Sequence, residues 1–236
     1  MLSTIPKWMG DLFGDVLRPN AKIIQTSSIT PHIKRIRFQG DITRMNFQIG
    51  YANVMRVSET EYRNYTVAWH DMQKGIFDII VHLHGNGVGS QYIHTLEKND
   101  DVYISQPRGK KLYDPHMKQH VIFGDETSLG LACSFFQILK QNQHQFQFYF
   151  ELDEENKSAP ELLGLGNVTV FSKNGSFRNE QWITDLPLFQ PSEWTKANFI
   201  LTGNVKSVQT FRKVIKHTIS AKSTTQGYWL EGKKGL

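Results

Sequence analysis

The stretch Arg63-Asn64-Tyr65-Thr66-Val67-Ala68-Trp69 says more about the fold than any other part of this chain. Its apolar second half predicts a strand. The residues that open the strand supply a guanidinium for a phosphate, a flat aromatic ring for stacking and a hydroxyl. A strand with these groups is suited to hold a flavin nucleotide against a β-barrel, because charge, ring face and hydrogen bond match the pyrophosphate, the isoalloxazine and its reactive nitrogen.

A glycine-rich segment, His84-Gly85-Asn86-Gly87-Val88-Gly89-Ser90, follows this strand. Glycine at every second position lets the backbone approach an anion without obstruction by side chains. If a helix begins near Ser90, its free N–H groups and its dipole favour a pyrophosphate at that end. The alternative interpretation is a glycine-rich hairpin turn without a ligand.

A third motif, Gly124-Asp125-Glu126-Thr127, comes directly after the short apolar strand 120–123 and before a helical pattern. In an open α/β sheet, ligands bind at the carboxyl ends of the strands. The Thr127 hydroxyl is therefore a candidate contact for a nicotinamide, and Asp125 and Glu126 are candidate contacts for a flavin edge. Capping of the helix by Asp125 or Thr127 is the alternative, and the two roles are compatible.

These motifs, followed by Gly227-Tyr228-Trp229, resemble in their order the siderophore-interacting proteins, a branch of the ferredoxin-reductase-like flavoproteins. The family pattern runs Arg-x-Tyr-Thr, His-Gly-x-Gly-Pro-x-Ser-x-Trp, Gly-Asp-Glu-Thr and Tyr-Trp-x-x-Gly, and the resemblance extends from roughly residue 20 to the end. Val88 stands where the family usually has Pro, and Tyr92 where it usually has Trp. The resemblance implies that FAD contacts Arg63, Tyr65, Thr66, Val67, His84, Gly85, Gly87, Gly89, Ser90, Asp125, Thr127, Tyr228 and Trp229.

The resemblance also implies an activity: electrons pass from NAD(P)H through FAD to a ferric siderophore, and Fe(II) is released. Thr66, near the flavin, is the only residue given a catalytic role. Two alternatives stay open. One is a general flavin or ferredoxin-type reductase with a protein redox partner such as ferredoxin. The other is a flavin-binding module without turnover.

The pattern of strands and helices predicts two domains. Short strands separated by Gly, Asn and Asp, with one helix around residues 91–97, predict an antiparallel Greek-key FAD-binding β-barrel over residues 1–114. A short amphipathic segment that ends at Pro19 opens this domain. Strands that alternate with helices from residue 115 to residue 236 predict a parallel α/β nucleotide-binding domain of the NAD(P)-binding kind.

Composition narrows the setting of the protein. Cys133 is the only cysteine, which is typical of a reducing cytoplasm, and we expect neither a signal peptide nor a membrane span. Two histidine pairs, His82 with His84 and His116 with His120, lack a third ligand nearby in sequence, so we expect no metal site.

The basic residues are concentrated at one end of the chain. Residues 202–236 contain seven Lys or Arg against Glu231 alone, a net charge of +6, although the whole chain carries only +5. Such a surface suits an anionic ligand, an acidic protein or nucleic acid, or is simply a solvated helix face. With the resemblance, we expect Lys233 and Lys234 to bind the anionic siderophore, and we expect no nucleic-acid partner.

Overall fold

The computed structural model describes residues 19–85, 87–189, 194–219 and 221–233. The predicted amphipathic segment before Pro19 and the predicted site residue Lys234 lie outside these ranges. The chain folds into two compact units, the first ending at Lys111 and the second beginning at Leu112. Sequence analysis placed this boundary after residue 114.

The first unit consists of antiparallel sheets around one apolar core, which confirms the predicted β-barrel class. Phe38 and Phe77 are fully buried and stack with their ring centroids 5.0 Å apart. The strands are β1 (Ala21–Thr30), β2 (Ile33–Gly40), β3 (Tyr51–Arg56), β4 (Tyr62–Tyr65), β5 (Val67–Asp71), β6 (Ile76–His82), β7 (Asp101–Val102) and β8 (Arg108–Gly109). Their orders are β5-β6-β2-β1-β7 and β4-β3-β8, so β2 pairs with β6 rather than with the next strand in sequence.

The strand predicted from the stretch 63–69 is in fact two strands that belong to different sheets. β4 pairs with β3, with Tyr65 opposite Asn53, whereas β5 pairs with β6, with Val67 opposite Ile79. Thr66 is the single residue between them. Hydrophobic periodicity shows which face of a strand is buried, but not which neighbour it pairs with, so the prediction missed this change of sheet.

Within the described residues of the first unit, the helix is α1 (Val88–Thr95), which begins about one turn earlier than the predicted 91–97. It follows directly on the glycine-rich segment, and its N-cap is Gly87. The predicted helix start near Ser90 is therefore close to the observed one.

The second unit is a five-stranded parallel sheet with helices, which confirms the predicted α/β class. Its strands are β9 (Gln119–Gly124), β10 (Gln145–Leu152), β11 (Val168–Ser172), β12 (Asn198–Asn204) and β13 (Ser223–Trp229), in the order β11-β10-β9-β12-β13. The helices are α2 (Leu129–Gln141), α3 (Ala159–Leu162), α4 (Glu180–Thr184) and α5 (Val205–Thr218). The central strands are buried almost throughout, as parallel strands with two covered faces are.

The direction of chain progression across this sheet reverses at β9, which has β10 on one side and β12 on the other. Ligands of open α/β sheets bind outside the carboxyl ends of the strands at such a switch point. The carboxyl ends of β9 and β12 carry Gly124-Asp125 and Gly203-Asn204, so the topology brings these pairs to one edge of the sheet. No helix in the parts of the chain that the structure describes is long and apolar enough to cross a membrane.

Candidate functional site

The amino end of α1 lies against Arg63 and Tyr65 in the first unit. A Cβ atom on Gly89 would lie only 3.0 Å from Arg63 Cγ and 3.3 Å from the Tyr65 hydroxyl oxygen, so the close approach depends on glycine. At Gly85 and Gly87, by contrast, an added Cβ would meet no atom within 4 Å. The structure therefore brings the predicted Arg-x-Tyr-Thr and glycine-rich motifs together and leaves open space beside the glycines.

The first turn of α1 has backbone donors without a side-chain cap, because its N-cap is Gly87. Ser90 closes the loop before it: its Oγ accepts a hydrogen bond from the His84 N–H and donates one to the His84 carbonyl, both at 3.1 Å. Uncapped N–H groups and the helix dipole together favour an anion here. His84 and Ser90 thus shape the turn through backbone contacts, and their predicted contacts with FAD stay predictions.

The Arg63 guanidinium beside this helix end is partly engaged. It donates to the Tyr62 carbonyl at 2.9 Å and to Glu61 Oε1 at 3.2 Å, and its side chain is 27% exposed. The exposed face of the guanidinium is available to a phosphate. Because the ion pair between Arg63 and Glu61 is itself partly exposed, breaking it to bind a phosphate would cost about 1 kcal/mol of stability or less.

Tyr65, Thr66 and Val67 occupy three different environments. Burial raises the pKa of Tyr65 above its usual range, although the charge of Arg63 opposes this, so the ring is a neutral phenol packed against the core. Thr66 is half-buried where the chain changes sheets. The Val67 side chain is a core residue, so only its backbone could contact a ligand.

These observations satisfy what an FAD pyrophosphate requires. Room at two glycines, uncapped helix N–H groups and an arginine side chain occur within one unit, and the donors match phosphate oxygens. The residues of the first unit therefore fit the cofactor that the sequence predicted.

Asp125 is the centre of a hydrogen-bond network in the second unit. It is buried, and its Oδ1 accepts from the N–H and the hydroxyl of Thr127, while its Oδ2 accepts from the Asn204 N–H at 2.9 Å and from Trp229 Nε1 at 2.6 Å. The carboxylate thus joins the carboxyl ends of β9, β12 and β13. A Cβ on Gly203, whose φ is +102°, would lie 2.6 Å from Oδ2, which explains the glycine.

Asp125 caps the short 3₁₀ turn Glu126–Ser128 that leads into α2, because its carboxylate accepts from the Thr127 N–H. The N-cap of α2 itself is Ser128, which makes no side-chain capping bond. Because Asp125 and Thr127 bind each other and Asp125 also binds Trp229, their predicted contacts with flavin or nicotinamide stay predictions. Tyr228 is half-buried on β13 next to Trp229. Lys233 is exposed on the following turn, where its N–H donates to the Leu230 carbonyl at 3.1 Å.

A cavity of about 360 Å³ opens at the same edge of the sheet. Its walls carry both signs of charge and are formed by Glu151, Lys173, Asn174, Gly175, Arg178, Asn204, Trp229 and Glu231. Of these residues, only Trp229 was among the predicted site residues. A sequence signal existed for some of them, since polar residues at the carboxyl ends of apolar strands are candidates for ligand contacts.

Two carboxyls beside this cavity are buried. Glu126 is enclosed and accepts from the Asp153 N–H at 2.7 Å and from the ammonium of Lys173. Burial raises the pKa of Glu151 to about 7, with the charge of Asp125 acting in the same direction and Ser207 and Lys173 opposing it. Burial lowers the pKa of Lys173, but the charge and hydrogen bond of Glu126 raise it by more, so the net shift is upward. Lys173 is thus held as a cation by a carboxylate of its own unit.

The antiparallel, barrel-like first unit and the parallel second unit have the ferredoxin-reductase-like fold. Residues 20–113 match the family model described as oxidoreductase FAD-binding domain, which covers most of the first unit.

Among similar solved structures, the siderophore-interacting protein SipS from Aeromonas hydrophila superposes with a TM-score of 0.74 at 20% identity, over 93% of this chain and 94% of that one. Phthalate dioxygenase reductase gives a TM-score of 0.75 at 18% identity, over 93% of this chain and 71% of that one.

Among curated proteins, NADH-cytochrome b5 reductase 1 of Aspergillus oryzae is 34% identical over 59 residues, a quarter of this chain. The chain covers only 20% of that relative's length.

Proposed function

We propose that the protein is an FAD-dependent reductase that passes electrons from NAD(P)H to a ferric siderophore and so releases Fe(II). The observation that carries the proposal is the placement of Arg63 and Tyr65 against Gly89 at the uncapped end of α1. The choice of acceptor is supported by the order of the sequence motifs and by the similarity in fold to siderophore-interacting proteins across nearly the whole chain.

The residues have distinct roles in this proposal. Arg63 and the first N–H groups of α1 would bind the FAD pyrophosphate, Tyr65 would offer a neutral ring, and the Thr66 hydroxyl would donate a hydrogen bond to the flavin. Bound FAD would supply the chemistry that couples a two-electron hydride donor to one-electron acceptors, so one NAD(P)H would reduce two ferric complexes. In this proposal the cavity of the second unit binds NAD(P)H.

The release of iron follows from coordination chemistry. Siderophores hold Fe(III) with hard oxygen ligands, and the less charged Fe(II) binds these more weakly. In this proposal Lys233 and Lys234 attract the anionic complex. The protein needs no acid or base for the iron step, because electron transfer changes only the charge of the metal. A cytoplasmic location, where NAD(P)H is present, is part of the proposal.

The test starts with the purified protein. We expect a yellow protein that releases FAD on denaturation, and that oxidises NADH or NADPH faster when a ferric siderophore is present, with Fe(II) trapped by a chromogenic chelator. Arg63→Gln is the matched variant and should lose FAD and activity together. A colourless protein that also fails to take up added FAD would contradict the proposal.

A protein acceptor is the second candidate, favoured by the local identity to NADH-cytochrome b5 reductase 1. It predicts slow turnover with ferric siderophores and fast turnover with a ferredoxin or a b-type cytochrome. FAD binding without oxidation of either nicotinamide would leave the third reading, a flavin-binding module.

A further inference from the structure

Glu231 reaches back across the cavity of the second unit from the turn that follows β13. One carboxylate oxygen pairs with the Arg178 guanidinium, and the other lies 3.8 Å from Lys206 Nζ. Desolvation raises the pKa of Glu231, but hydrogen bonds from its own backbone N–H, from the Asn204 side chain and from Arg178 outweigh it, and the net shift is downward. The carboxyl is therefore held as an anion in a cationic site.

The groups around this carboxylate are those that bind phosphate. Arg178 offers a guanidinium, Lys206 an ammonium on the first turn of α5, and Asn204 precedes that helix. Asn204 Oδ1 already accepts from the Lys206 and Ser207 N–H groups, at 2.9 and 3.3 Å. Its Nδ2 is buried and lines the cavity, and the Asn204 side chain interacts with the Glu231 carboxylate. Displacement of Glu231 would therefore leave this donor, together with Arg178 and Lys206, for a phosphate.

The strength of each pairing shows which cation a ligand can reach. Lys173, also in the cavity wall, is 19% exposed and is neutralised by the enclosed Glu126 and by Asp153. The pair of Arg178 and Glu231 is more open, with side chains 41% and 39% exposed. An exchange of partners therefore costs less at Arg178 than at Lys173, because exposed ion pairs contribute little.

We propose that Glu231 occupies the position of a phosphate group of the dinucleotide, and that nucleotide binding displaces it from Arg178 and Lys206. The carboxylate is an internal competitor on a short turn. This inference rests on the proposed function in one respect, the use of the cavity for NAD(P)H. The inference adds two points to that function. Glu231 lowers the affinity for the nucleotide, and Arg178 binds one of its phosphate groups.

The test measures binding of nucleotide fragments by calorimetry in the full-length protein. The probes are ADP, which carries the 5′-diphosphate, and adenosine 2′-monophosphate, which carries the phosphate that distinguishes NADPH from NADH. Glu231→Gln should tighten binding of at least one probe about fivefold, the upper range for an exposed ion pair. The probe that gains more identifies which phosphate Glu231 mimics. Arg178→Gln should weaken binding of the same probe.

Glu180→Gln is the matched control, because Glu180 forms an exposed ion pair with Lys213 at 2.6 Å and does not line the cavity. It should leave both affinities unchanged. Equal or weaker binding by Glu231→Gln, or no binding of either probe to any variant, would overturn the inference. Absence of NAD(P)H oxidation, with the expected gain in affinity intact, would refute the reductase proposal and leave the role of Glu231 standing.

Discussion

Replacing Asp125 by Asn should destabilise the second unit by about 3 kcal/mol, because the carboxylate is buried and two of its bonds cannot be kept. Its Oδ2 accepts from two fixed donors, the Asn204 N–H and Trp229 Nε1. An amide that keeps its oxygen toward Thr127 presents an NH₂ group to both donors. Hydrogen bonds to charged groups contribute about 1.5–3 kcal/mol each, and the two losses are not fully additive.

The measurement is urea denaturation followed by circular dichroism, combined with hydrogen exchange of the β9 and β12 amides. Exchange is needed because two units can unfold separately, so a single transition does not report on one of them. Amides of β9 and β12 should lose protection in Asp125→Asn, whereas those of β1 and β2 should keep it.

A matched control is available in the first unit. Asp41 Oδ1 also accepts from the N–H and the hydroxyl of the residue two positions later, Thr43, at 3.0 and 2.6 Å, but Asp41 is exposed. Asp41→Asn should cost about 0.5 kcal/mol or less. If Asp125→Asn costs no more than this control, the carboxylate is not what joins the three strand ends, and the reasoning is refuted.

Four further predictions follow from single sites. Arg63→Gln should weaken FAD binding by about 1.5–3 kcal/mol in a flavin fluorescence titration; unchanged affinity would place the pyrophosphate elsewhere. Thr66→Ala should reduce turnover more than FAD affinity, since one neutral hydrogen bond contributes only about 1 kcal/mol, and the reverse order would remove its catalytic role. Burial lowers the pKa of His120 from 6.5 to about 4. The neutral ring therefore contributes to the free energy of unfolding above pH 6.5, and this contribution is lost as the pH falls toward 4. His120→Phe should flatten that part of the pH–stability curve, and an unchanged curve would speak against it. Neutralising Lys233 and Lys234 should slow reduction of an anionic ferric siderophore but not of a neutral one; equal rates at low salt would make them a solvated tail.

The sequence by itself was sufficient to predict features that depend only on residues close together in the chain, namely strands, helices and turns. Apolar runs that alternate with helical patterns predicted the parallel sheet after residue 115, because each strand and helix has its own periodicity. The glycine spacing from Gly85 to Gly89 predicted room for an anion, and Gly124-Asp125 predicted the carboxyl end of a strand. The family resemblance, which rests on the same motifs, predicted FAD as the cofactor.

Only the tertiary structure decided which of these segments lie side by side. Thr66 separates two sheets because β4 and β5 find different partners, a choice that periodicity does not encode. Trp229 binds a carboxylate 104 positions away, and Glu231 pairs with an arginine 53 positions away. Such contacts arise because parallel strands bring their carboxyl ends to one edge of the sheet, whatever their separation along the chain. The cavity and its internal anion are therefore properties of the assembled sheet, and no single stretch of sequence contains them.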